Sequence, residues 1–159
     1  MSPVLLAIYL NDHLAGATAG LELARRAASS NEGSEYGRFL DGLVVEIDED
    51  RESLIELMRT VDVGVDRIKV LGGWAAEKAG RLKLNGRLRG YSPLSRLLEL
   101  EGLTLGVRGK LCLWRALIEL QPADPRLSAT QLAHLGKRAE VQLDGLEAQR
   151  LKAAAQAFA

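Results

Sequence analysis

From Tyr36 to Val61 the residues Tyr36, Leu40, Leu43, Ile47, Leu54, Met58 and Val61 fall three, four or seven positions apart. That period lays an apolar stripe along one face of an α-helix, and a helix with one stripe must hide it against another element. The pattern returns in Leu6, Leu10, His13, Ala17, Leu21, Ala24 and Ala28, then in Leu100, Leu103, Val107, Leu111, Trp114 and Ile118, and again in Leu132, Leu135, Ala139, Leu143 and Leu146. The boundaries are also written in the chain. SSNEGSE separates the first two segments, Ser34 caps the second, Ser92-Pro93 opens another that QPADP stops, and Ser128 with Gln131 reads as a capping box.

These signals predict helices over about 4 to 29, 33 to 61, 93 to 120 and 128 to 157, the tail LKAAAQAFA fraying. A less regular helix is expected over about 65 to 80 (VDRIKVLGGWAAEKAG), weakened by Gly72 and Gly73 and followed by the basic connection RLKLNGRLRGYS. Long amphipathic helices with short connections pack best side by side. The expected fold is all-α: a single domain over 159 residues, an antiparallel four-helix bundle with an additional helix.

Charge and cysteine usage exclude several classes. The 21 basic and 21 acidic residues cancel, so no net field draws the chain to nucleic acid or an anionic membrane. One cysteine, Cys112, forms no intramolecular disulfide, and two histidines make no zinc cluster with it. Both features suit the cytoplasm. The start, MSPVLLAIYLNDHLAG, has no basic region ahead of its apolar run and is broken by Asp12 and His13, which reads as neither signal peptide nor anchor. No phosphate loop, Gly-x-Ser-x-Gly elbow or dinucleotide fingerprint is present.

Two glycine spacings stand out. Gly16 and Gly20 share a face of the first helix, and Gly102, Gly106 and Gly109 do so near the start of the fourth segment. Each glycine inside a helix costs about 0.8–1.0 kcal/mol relative to alanine, so five of them call for a structural return. Close approach of two helix backbones is the expected one, within the monomer or across a homodimer.

The run EIDEDRE puts Glu46, Asp48, Glu49, Asp50 and Glu52 on one helix. A di-metal carboxylate site would use Glu-x-x-His on two helices, since that spacing points carboxylate and imidazole to the same ions. Leu10 precedes His13 by three residues and Gln131 precedes His134, so the motif is missing. Glu46 and Asp50 border the apolar stripe closely enough for one to turn inward, while Asp48, Glu49 and Glu52 fall on the outer face. The simpler reading of the run is a solvated face. In the other reading, Glu46, Glu49 or Asp50 joins Asp12, His13 and Glu101 around iron.

A long helix with NDH, a long acidic helix with EIDE, a short segment and the return helix LLELEGLTLGVRGKLCLWRAL resemble the ferritin-like superfamily over about residues 4 to 120 or somewhat beyond. The chain is similar in particular to uncharacterised bacterial ferritin-like proteins. The resemblance implies an antiparallel bundle, often dimeric or larger, that holds two irons in its active members. Without Glu-x-x-His the family's ligands are not carried over, and no metal, cofactor or catalytic residue is assigned.

Arg108 and Arg115 lie beside the stripe of LLELEGLTLGVRGKLCLWRAL and are expected to be partly buried against Glu46 or Asp50, a salt-bridged core in place of metals. The segment with Lys78, Arg81, Lys83, Arg87, Arg89 and Arg96, where Tyr91 is the one aromatic, is read as lying across the acidic face of the second helix rather than on nucleic acid or lipid. Cys112 is expected to be buried and inert, and Trp74 and Trp114 to fill the core. The function expected from these residues is a non-catalytic structural or protein-interaction module, with a divergent metal-binding oxidase or iron handler as the alternative.

Overall fold

The structure, a computed structural model, describes residues 2–66 and 91–159. It is all-α: α1 (Pro3–Ser30), α2 (Glu35–Thr60), α3 (Pro93–Leu120) and α4 (Ala129–Phe158), with a 3-10 turn at Gln121–Ala123. Each helix begins and ends within two residues of the span expected from its caps and period. Ser34, Ser92 and Ser128 all cap as read, accepting from the amides of Gly37, Ser95 and Gln131 at 3.1, 3.0 and 3.3 Å. Among the described residues there is no fifth α-helix. The helix expected over 65 to 80 and the basic residues from Lys78 to Arg89 fall outside the described residues, apart from Val65 and Asp66, which are not helical.

The apolar stripes meet in one core. The six stripe residues of α2 and Val61 just after it are buried, as are Leu132, Leu135, Ala139, Leu143 and Leu146 of α4. On α1 the stripe shifts slightly. Leu14 and Ala27 join Leu10, Leu21, Ala24 and Ala28 in the core, while His13 is only half-buried. The most apolar window of α1 has a mean hydropathy of 1.2, long and apolar enough to cross a membrane by length and composition, yet the helix packs against α2 and α3.

α1 lies against α2 and α3, α3 against α4, and α2 touches α4 more sparsely. Polar contacts fix the directions. The end of α1 meets the start of α3, where Asn31 Oδ1 accepts from Arg96 Nε at 2.6 Å and Asn31 Nδ2 donates to Tyr91 at 2.8 Å. The start of α2 meets the end of α4, where the Tyr36 hydroxyl donates to Gln156 at 3.1 Å. At the other end Arg126, before α4, pairs with Asp62, after α2, at 2.8 Å. All neighbours are therefore antiparallel, and α2 finishes at the end of the bundle opposite to the one where α3 begins.

Candidate functional site

Asp50 turns inward from the acidic run, its side chain 1% exposed. A carboxylate so placed needs partners, and three converge on it. Lys110 of α3 donates to one oxygen, Arg138 of α4 to the other, and Gln142 of α4 donates to the first at 3.3 Å. Gln142 knits the cluster further by accepting from Lys110 at 2.6 Å and donating to Glu46 at 2.8 Å. Arg138 also holds Glu49 at 2.8 Å. Burial lowers the Lys110 pKa from its ordinary value, against the pull of Asp50 beside it. The network fills the space between α2 and α4 where apolar packing is sparse.

The basic partners are not those expected. Arg108 is exposed, and Arg115, 61% exposed, pairs with Glu140 at 3.0 Å. Both lie on the flank of the α3 stripe that turns away from α2. Lys110 lies on the other flank, three residues after Val107 and four before Trp114. The same spacing recurs in Asp50, between Ile47 and Leu54, and in Gln142, between Ala139 and Leu146. Sequence reasoning missed all three partners; the shared offset from a stripe marks Lys110 and Gln142 but not Arg138, and it does not by itself tell which flank of a stripe is covered.

The carboxylates offered as metal ligands do not assemble. Among the described residues no three His, Cys, Asp or Glu side chains gather as a metal site. Asp50 is held by cations of the chain itself, and Glu101 faces Arg150 at 3.7 Å on the α4 side of α3. Asp48 and Glu52 lie on the outer face, as expected, paired with Arg25 and Arg51. Cys112 is exposed rather than buried, because Leu111 and Leu113 take the inward positions around it.

The glycines give the second surprise. Gly16 and Gly20 of α1 and Gly102, Gly106 and Gly109 of α3 line a cavity of about 340 Å³ rather than a tight helix crossing. At Gly16, Gly20, Gly106 and Gly109 an added Cβ would meet nothing within 4 Å; at Gly102 it would stand 3.1 Å from the Leu23 side chain. Ile47, Leu54, Val107 and Trp114 also line the cavity, as do Asp50 and Lys110. Trp114 is fully buried, and its indole N–H has no acceptor among the described residues. Such an orphan costs about 1–3 kcal/mol. His13 also lines the cavity, its ring edge-on to Tyr9 with centroids 4.6 Å apart. Burial lowers its pKa while Asp12 raises it.

Chemically, the site offers an apolar slot beside an ion-pair network in which Lys110, Arg138 and Gln142 share Asp50, while Arg138 also holds Glu49 and Gln142 holds Glu46. In comparisons with protein-family models, with curated proteins and with solved structures, nothing matches this chain.

Proposed function

We propose that the chain is a non-catalytic, ferritin-like bundle that works by binding, with Lys110 and Arg138 standing where such a bundle would hold metal ions. The single observation that carries this reading is the double occupation of Asp50: one oxygen faces an ammonium, the other a guanidinium. A metal could take that carboxylate only by displacing both cations and stranding them in the interior, which is costly. The helix directions support the ferritin-like part, since α2 and α3 run the same way and the step between them is the one long crossover of such folds.

The homodimer read from the glycine faces and a cytoplasmic location belong to the same proposal. Gly16 and Gly106 are exposed, and a second copy laid there would cover Leu105, which is 74% exposed beside the cavity. Sedimentation tests the dimer: a monomer at high protein concentration removes it.

The metal question is settled by elemental analysis of chelator-free protein before and after loading with ferrous iron. No iron retained above a control protein is the expected result. About two irons per chain, lost in a Glu46→Ala, Asp50→Ala double variant, would restore the oxidase or iron-handling alternative.

A further inference from the structure

We infer that the outward face of α3 is the surface on which a second copy of this chain docks, the two α3 helices lying antiparallel across a two-fold axis at the level of Val107. The inference rests on the homodimer proposed above and gives it a surface and a register. Leu98, Leu105 and Cys112 recur every seven residues, and Gly102, Gly109 and Ala116 follow each of them by four. Seven residues make close to two turns, so both rows run along one side of the helix. That side faces out. Leu98 is 41% and Leu105 74% exposed, Cys112 and Ala116 are exposed, and Gly102 and Gly109 are half-buried.

A row of larger side chains beside a row of small ones fits its own copy when that copy is reversed. The pairs Leu98 with Ala116, Gly102 with Cys112 and Leu105 with Gly109 are all centred on position 107. Reversal about that level sets Leu105 against the partner's Gly109, Leu98 against the partner's Ala116 and Cys112 against the partner's Gly102, and the two-fold axis repeats each pairing. In a parallel pair each leucine would face a leucine and each glycine a glycine. The room for the fit is present: a Cβ added to Gly109 would meet nothing within 4 Å. At Gly102 it would stand 3.1 Å from the Leu23 side chain, and the smallest of the three larger residues, Cys112, falls there.

Charge selects the same direction independently. Glu101, Arg108 and Arg115 follow one another in steps of seven along the edge of the strip. Arg108 is exposed, and the side chains of Glu101 and Arg115 are 42% and 61% exposed. In a parallel pair all three would face their own copies, like charge against like. In the antiparallel pair only Arg108 does, while Glu101 comes level, to within about 3 Å along the axis, with the partner's Arg115.

The test is sedimentation of the full-length protein at rising concentration, native and with single substitutions. The native chain is expected to dimerise. Leu105→Arg, at a position the monomer core does not use, and Gly109→Leu, which fills the space meant for the partner's Leu105, should each weaken the dimer by more than about tenfold with the helical circular dichroism unchanged. Val141→Arg, on α4 and 59% exposed in the native chain, should leave the dimer intact. Disulfide cross-linking under mild oxidation, in a Cys112→Ser background, reads the register. Leu105→Cys combined with Gly109→Cys should link the copies, whereas Leu98→Cys alone should not, its two copies standing about 27 Å apart along the helix axes. A monomer throughout overturns both the inference and the homodimer. A dimer that Leu105→Arg and Gly109→Leu leave intact, or one linked through Leu98→Cys and not through the other pair, overturns this surface and leaves a homodimer built elsewhere. Iron content decides the metal-free reading apart from all of these outcomes.

Discussion

Lys110 of α3 and Asp50 of α2 meet inside the bundle and share a third partner, Gln142 of α4, which accepts from Lys110 at 2.6 Å and donates to Asp50 at 3.3 Å. Removing one charge of such a pair strands the other. Asp50→Ala should therefore cost about 3–5 kcal/mol in a denaturant titration. Adding Lys110→Met should recover part of that loss, because the stranded ammonium goes with it. A double variant no more stable than the single one would mean that Arg138, not Lys110, is the cation that Asp50 mainly serves.

Arginines on the two flanks of the bundle should differ in the same assay. Arg115 is 61% exposed against Glu140, so Arg115→Ala should change stability by less than about 1 kcal/mol. Arg138 is 21% exposed and bonds both Glu49 and Asp50, so Arg138→Ala should cost clearly more. Equal effects would contradict the placement of the network between α2 and α4.

Alanine at individual glycines should move stability in opposite directions. At Gly16 and Gly106 the added methyl meets open space, and each substitution should stabilise the fold by about 0.5–1 kcal/mol. At Gly37 it would run into the backbone carbonyl of Asn31, which cannot move aside as a side chain can, and Gly37→Ala should destabilise. Thermal melts of the three variants check both signs.

His13 gives the pH dependence. Its folded pKa is lowered below 6.5 by burial, so between the folded value and 6.5 the unfolded chain holds a proton that the folded chain has shed. Stability should rise with pH across that window and level off above it; below it both states carry the proton and the contribution is absent. Subtracting a His13→Gln profile from the native one isolates the term. A flat difference curve through pH 6.5 would show that His13 titrates as in the unfolded chain.

Much of the bundle was legible. Tyr36, Leu40 and Ile47 announced a face, Ser92-Pro93 announced a start, and the border positions of Glu46 and Asp50 left room for one of the two to turn inward without saying which. The partners of Asp50 were not legible, because Arg108 and Lys110 lie on opposite flanks of one stripe and only the neighbour of each flank decides which is buried. Cys112 was misplaced for the same reason: adjacency to Leu111 along the chain says nothing of which way the next position points once α3 has two neighbours.

The sequence by itself determined four helices, their caps and the faces they bury, since period and capping are properties of residues within a few positions of one another. The tertiary structure alone decided that Lys110, Arg138 and Gln142 close around Asp50, and that the glycines of α1 and α3 border a slot instead of touching. Periodicity fixes the direction of a side chain around its own axis. The distance from one axis to the next is set by everything packed between the helices, and residues far apart in the chain meet only there.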